Sequence, residues 1–333
     1  MTHTEFFKNL KNGELAPVYL FTGEEHFVMQ SAVNQLTEAL VGDLRDVNLS
    51  LLPCTAAGDE ICAQCETIPF LADKRVVIVE ESGFLTKAEP EGVERLLAYL
   101  ENPADFTVLV FVCAQPEKRR KTYKALQNFP IVEFNPLSDA ELSRWIDKTL
   151  RGKGLTIEPS ALQFLVEYTD PRPEALINEL EKLACFKPGG LITSKDITDV
   201  VIPCNDYNLY KMTDAVVAGD VNTALTLLSG MLSQREEPIF LLAAIARQYR
   251  QLLKCKLLLE KKTPKPEIIS LLGIRDFVFS RLSASCQKMS EAQLKQAVDL
   301  CYMTDEGLKT GKAFDEAALH ALILSLCRLS KRK

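Results

Sequence analysis

Between Pro17 and Phe134 short apolar runs alternate with stretches long enough for helices, and beyond Phe134 the alternation stops. The runs are Pro17–Phe21, Val47–Leu52, Val76–Val79, Phe106–Val112 and Ile131–Phe134. They are rich in the β-branched and aromatic residues that suit a pleated surface. Glu24–Leu40, Asp59–Thr67, Glu91–Leu100 and Arg119–Asn128 lie between them as helix candidates. Strands separated by helices do not pair as tight hairpins. They predict a parallel sheet covered by helices on both faces. Val76–Val79 and Phe106–Val112 are almost wholly apolar, as central strands of such a sheet must be.

After Phe134 only helices are expected. Ser138 followed by Glu141 predicts a capping box. Helices then run to Leu150, over Glu158–Tyr168, over Pro173–Phe186 and over Ser194–Val200, punctuated by Gly152, Gly154, Pro171 and Pro188-Gly189-Gly190. From Asp206 on, the candidates are Asn208–Ala218, Val221–Ser233, Pro238–Lys261, Lys265–Leu272, Asp276–Cys286, Ser290–Thr310 and Phe314–Leu329. The expected architecture is α/β then all-α: a parallel α/β domain over 1–138, a small helical domain over 139–206 and a larger helical domain over 207–333.

A chain of 333 residues has room for two or three domains. Its 47% hydrophobic and 25% charged content can fill a core, which excludes a wholly disordered chain. No apolar run reaches the roughly 18 residues of a membrane helix. Met1–Lys8 has none of the features of a secretory signal, so a cytoplasmic location without a membrane partner is expected. Ten cysteines are then expected to be reduced thiols. Cys62 and Cys65 form the one tight pair. There is no second such pair, and the only histidines are His3, His26 and His320, so no metal site is expected and the pair reads as helix packing.

A nucleotide-binding α/β domain needs a glycine-rich loop after its first strand, with a Lys to meet the phosphates. Here that position reads Phe21-Thr22-Gly23-Glu24-Glu25-His26-Phe27, with one glycine, no lysine and two carboxylates. Gly152-Lys153-Gly154 and Gly311-Lys312-Ala313 lack the preceding glycine of such a loop. Glu80-Glu81 could serve a metal nucleotide only beside a phosphate loop. Neither His26 nor His320 has a nucleophile at a readable spacing. No catalytic residue and no cofactor is expected, and the chain is expected neither to bind ATP tightly nor to hydrolyse it.

The most informative segment is Thr67-Ile68-Pro69-Phe70-Leu71-Ala72-Asp73-Lys74-Arg75. Adjacent Phe70 and Leu71 point about 100° apart on a helical turn and to opposite faces on a strand. One small element does not readily bury both in the same core. Either flanking helices cover the pair, or it stands out as an anchor for another protein. Basic residues give further candidates. Residues 1–140 carry 12 basic and 21 acidic side chains, whereas 208–333 carry 19 and 13. Arg247, Arg250 and Lys254 share one helical face and could meet DNA, an acidic neighbour subunit or only solvent. Lys118-Arg119-Arg120-Lys121 leads a helix and could touch phosphate or be solvated.

Several segments resemble a known family. Tyr19–Phe27 is similar to its first strand and degenerate phosphate loop, and Ile68–Val77 to its clamp-binding element and following strand. Tyr207–Ala215, Ile245–Arg250, Leu271–Ile274 and Thr304–Gly311 resemble its third domain. The family is the delta subunit of bacterial DNA polymerase III, a clamp-loader subunit, and the resemblance spans essentially the whole chain. It implies an AAA+-like module without ATPase activity, made of the α/β domain and a small helical lid domain, followed by a helical collar that joins a five-membered ring. Phe70 and Leu71, with Ile68 and Pro69 beside them, would enter a pocket of the sliding clamp (the beta subunit) and pry one clamp interface open. ATP hydrolysis would belong to other loader subunits, of ATPase and delta-prime type. Primer–template DNA would be handled within the assembly, as an accessory to the polymerase (nucleotidyltransferase) holoenzyme. The alternative is a regulatory or adaptor protein carrying an inactive AAA+-type domain.

Overall fold

The sheet predicted from the apolar runs is present in a computed structural model of the chain, and all five strands are parallel. The structure describes residues 1–86, 90–234, 237–311 and 315–331. Lys312, Ala313 and Phe314, named above in a glycine–lysine pair and a helix start, lie outside the described residues. The chain divides into two units, Met1–Ser138 and Asp139–Lys333.

In the first unit the order is α1 (His3–Asn12), β1 (Val18–Thr22), α2 (His26–Val41), α3 (Arg45–Asn48), β2 (Leu49–Leu52), α4 (Gly58–Glu66), β3 (Arg75–Glu80), α5 (Val93–Glu101), β4 (Thr107–Val112), α6 (Lys121–Leu126) and β5 (Ile131–Glu133). The strands lie in the order β2-β3-β4-β1-β5. Every residue of β3 from Arg75 to Val79 is buried, and so is every residue of β4 from Thr107 to Phe111. That is why these two runs carry almost no polar residues. Alternation sorts the side chains: Val18, Leu20, Val77, Val79, Leu109 and Phe111 share one core with Ile61, Cys62 and Cys65 of α4 and Leu96 of α5.

Helix α1 is an addition to the sequence reading. Thr2 and Glu5 form a capping box and Gly13 closes the helix at φ +74°. Its buried Phe6 meets Tyr19 at 5.4 Å and Phe21 at 4.9 Å between ring centres, edge to face. The chain before β1 therefore closes the aromatic side of the sheet.

In the second unit α7 (Asp139–Gly152), α8 (Pro159–Tyr168), α9 (Pro173–Phe186) and α10 (Ser194–Val200) follow the predicted spans. Pro159 and Pro173 stand in first helical turns, where a missing N–H costs nothing. The expectation of helices alone needs one correction. Leu155–Ile157 (β6) and Gly190–Ile192 (β7) pair as a two-stranded parallel sheet. Strands of three residues are too short to show a period of two in the sequence. The rest is helical: α11 (Asn205–Ala218), α12 (Val221–Ser233), α13 (Pro238–Glu260), α14 (Lys265–Leu272), α15 (Asp276–Gln287), α16 (Glu291–Lys309) and α17 (Asp315–Lys331). Helix α13 runs through this core, burying Leu241, Ile245, Tyr249, Leu252 and Cys255 along one stripe.

Candidate functional site

Helix α4 ends at Glu66, and residues 67–74 lead to β3 without regular structure. Pro69 cannot donate a backbone hydrogen bond and pushes Ile68 out of the helical region, so α4 stops where it does. The segment leaves three apolar side chains uncovered. Ile68 is 77% exposed, Phe70 61% and Leu71 78%, while Pro69 is half-buried. The helices flanking the sheet do not cover the pair. Leu71 sits at φ +52°, a left-handed conformation that costs a branched side chain energy unless its surroundings impose it.

Those surroundings come from a residue far away in sequence. Asn48, the last residue of α3, is fully buried. Its Nδ2 donates to the Phe70 carbonyl at 2.9 Å, and its Oδ1 accepts the Phe70 N–H at 2.7 Å. One side-chain amide thus satisfies both backbone groups of the residue whose ring is presented. Arg75, also buried, secures the base of the segment. Its guanidinium donates to the Val47 carbonyl at 3.1 Å, to Ser50 Oγ at 2.8 Å and to Gln64 Oε1 at 2.7 Å. This ties α3, β2 and α4 to the start of β3. Lys74 Nζ donates to the Asp105 carbonyl. Neither Asn48 nor Arg75 was a sequence candidate. The signals available were two polar residues, Asn48 and Ser50, inside the otherwise apolar run Val47–Leu52, and the place of Arg75 at the end of the segment Thr67–Arg75.

At the phosphate-loop position two backbone amides are already used by neighbouring strand ends. The Gly23 N–H donates to the Ala114 carbonyl at 3.1 Å and the Glu25 N–H to the Phe134 carbonyl at 2.9 Å. A phosphate cradle needs such groups free and convergent. Gly23 is required for a different reason: at φ +129° a Cβ would lie 2.2 Å from the Phe134 oxygen. The loop is packed against the end of β5. Glu81, which follows β3, accepts the Ala114 N–H at 2.9 Å and so buttresses the same corner.

The remaining sequence candidates fall at the surface or in the core. Arg247, Arg250 and Lys254 lie on the exposed face of α13, and Arg247 pairs with Asp206 at 3.1 Å. An exposed pair of this kind contributes at most about 1 kcal/mol. Arg120 pairs with Glu117 at 3.0 Å just before α6, and its neighbours Lys118, Arg119 and Lys121 are exposed. Cys62 and Cys65 are buried in the α4 side of the core. Burial pushes their thiols up, to about 11 and about 12. Among the described residues no group of three or more His, Cys, Asp or Glu side chains is placed to hold a metal ion. His26 is exposed at the start of α2, and His320 lies beside the Glu316 carbonyl and Ser229. Among the described residues no helix is long and apolar enough to cross a membrane.

A five-stranded parallel α/β unit, with two amides of the loop after its first strand already bonded to neighbouring strand ends, followed by a predominantly helical unit, defines the class of protein. The family model for the DNA polymerase III delta subunit matches residues 19–135, and the model for the C-terminal domain of the same subunit matches residues 206–326. The chain belongs to the family of DNA polymerase III delta subunits. It is 26% identical to the DNA polymerase III subunit delta of Bacillus subtilis, covering 98% of both chains. It is 24% identical to the Escherichia coli subunit delta, over 85% of this chain and 75% of that one. The solved structure of the Bacillus subtilis DNA clamp loader delta protein superposes with a TM-score of 0.67 at 27% identity, covering 98% of this chain and 99% of that one.

Proposed function

We propose that this chain is the clamp-opening subunit of a clamp loader: Phe70 and Leu71, flanked by Ile68 and Pro69, dock in an apolar pocket of the sliding clamp and favour its open form. The observation that carries this reading is the presentation of two adjacent, largely exposed apolar side chains on a segment fixed to a rigid sheet. Such an anchor need not supply the energy of a motor. It acts by binding the open clamp better than the closed one, and only that difference shifts the population. A bias of about 5.5 kcal/mol would carry a clamp from one per cent open to one per cent closed, and a smaller bias suffices for an interface that is already marginal.

The packed Gly23 corner supports assigning ATP binding and hydrolysis to other subunits of a five-membered ring. In this reading residues 139–206 form the lid, and residues 207–333 form the collar that joins the ATPase and delta-prime subunits. Arg247, Arg250 and Lys254 face either primer–template DNA or a neighbouring subunit, within the cytoplasm. The test is a clamp-release assay: the purified chain is expected to speed loss of the cognate clamp from nicked circular DNA without nucleotide. A strict requirement for ATP bound to this chain would overturn the mechanism.

A further inference from the structure

We infer that Asn48 is a positioning residue for clamp capture, holding Phe70 and Leu71 in their docking geometry before the clamp arrives. The inference rests on the proposed function and adds to it a residue that makes no contact with the clamp itself. Asn48 is fully buried at the end of α3, so its side chain cannot reach a partner. Its whole polar capacity toward the segment is spent on one residue, through the 2.9 Å bond to the Phe70 carbonyl and the 2.7 Å bond from the Phe70 N–H. The next residue, Leu71, holds the φ of +52° that a free leucine seldom adopts. With the peptide groups on both sides of the Phe70 Cα pinned, the chain turns at Leu71 and both side chains face solvent.

A loop without this clamp would sample extended and right-handed conformations at Leu71. Only a fraction of molecules would then be competent, and the apparent affinity would fall by that fraction. Two neutral hydrogen bonds, one of them to a buried donor, are enough to change that fraction about tenfold, equivalent to about 1.4 kcal/mol. The loss falls on the association rate, because each successful complex makes the same contacts as before. Truncation of Phe70 itself removes contacts and raises the dissociation rate.

The test is stopped-flow binding of the full chain to the labelled cognate clamp, with Asn48→Ala, Phe70→Ala, the pair Phe70→Ala with Leu71→Ala, and Asn48→Ala added to that pair. Asn48→Ala is expected to weaken binding about tenfold through slower association, and to add less than about twofold in the background where Phe70→Ala and Leu71→Ala have removed both anchors. A full tenfold addition in that background, or a loss confined to dissociation, would mean general destabilisation and overturn the inference. Wild-type binding by Asn48→Ala beside weakened binding by Phe70→Ala would also overturn it, leaving the proposed function intact. Unchanged binding by Phe70→Ala would overturn the proposed function itself. If Asn48→Ala does not melt cooperatively, Asn48→Asp is read instead. It keeps the acceptor for the Phe70 N–H and loses the donor to the carbonyl, and at least threefold slower association is expected. Wild-type kinetics there would refute the role.

Discussion

Removing the exposed pair should separate binding from folding. In the free chain 61% of Phe70 and 78% of Leu71 is open to solvent and available for burial by a partner. Full burial stabilises by roughly 3 kcal/mol for a Phe side chain and roughly 2 kcal/mol for Leu. Scaled by those fractions, docking both gains about 3 kcal/mol, or on the order of a hundredfold in Kd. The remaining contact of each side chain with its own chain is worth about 1 kcal/mol for Phe70 and less for Leu71. Phe70→Ala with Leu71→Ala should therefore lose about two orders of magnitude in clamp affinity by calorimetry, while Tm falls by no more than about 5 °C. A cooperative melt lowered by far more than this, or an unchanged Kd, would refute the reasoning. The first result would mean that the pair is part of the core. The second would mean that its exposure serves no docking.

Isothermal titration should find no stoichiometric ATP binding to the isolated chain, and Gly23→Ala should destabilise it by at least about 2 kcal/mol in urea, because the new Cβ meets the Phe134 oxygen at a strained φ. Thiol labelling of the native chain at pH 8 should modify Cys54 and Cys185 quickly, as both are exposed. Cys62, Cys65, Cys113 and Cys301 should react only on unfolding, because burial holds these thiols up at about 11 to about 12 and the reactive thiolate is scarce. Asp196 accepts from Lys187 and Thr193, which holds its carboxyl down at about 2 against 3.8. A depressed acid stabilises above its unfolded value and loses that contribution as pH falls through the folded one. The Tm difference between wild type and Asp196→Asn should accordingly be constant above about pH 5 and shrink between about pH 4 and pH 2.

The sequence by itself determined most of the framework. Central strands of a parallel sheet must be apolar on both faces, so β3 and β4 stood out, and the helices after Phe134 were legible from their prolines, glycines and apolar stripes. Helix α1 was not among the expected elements, although its capping box, Thr2 with Glu5, and its closing Gly13 stand in the sequence. The strands β6 and β7 had no signal, since three residues cannot display a period. Missing lysine and glycines marked the altered phosphate loop, whereas the capture of its amides by Ala114 and Phe134 depends on β4 and β5 lying beside β1. The apolar pair could be named from Phe70 and Leu71 standing side by side, but not its exposure. That was decided in three dimensions, when Asn48, 22 positions earlier, closed both hydrogen bonds on Phe70 and left Leu71 to turn outward. Periodicity reports which side of an element faces the core. It holds no record of which distant polar group completes a loop's backbone, because that partner is fixed only once the sheet has brought the two segments together.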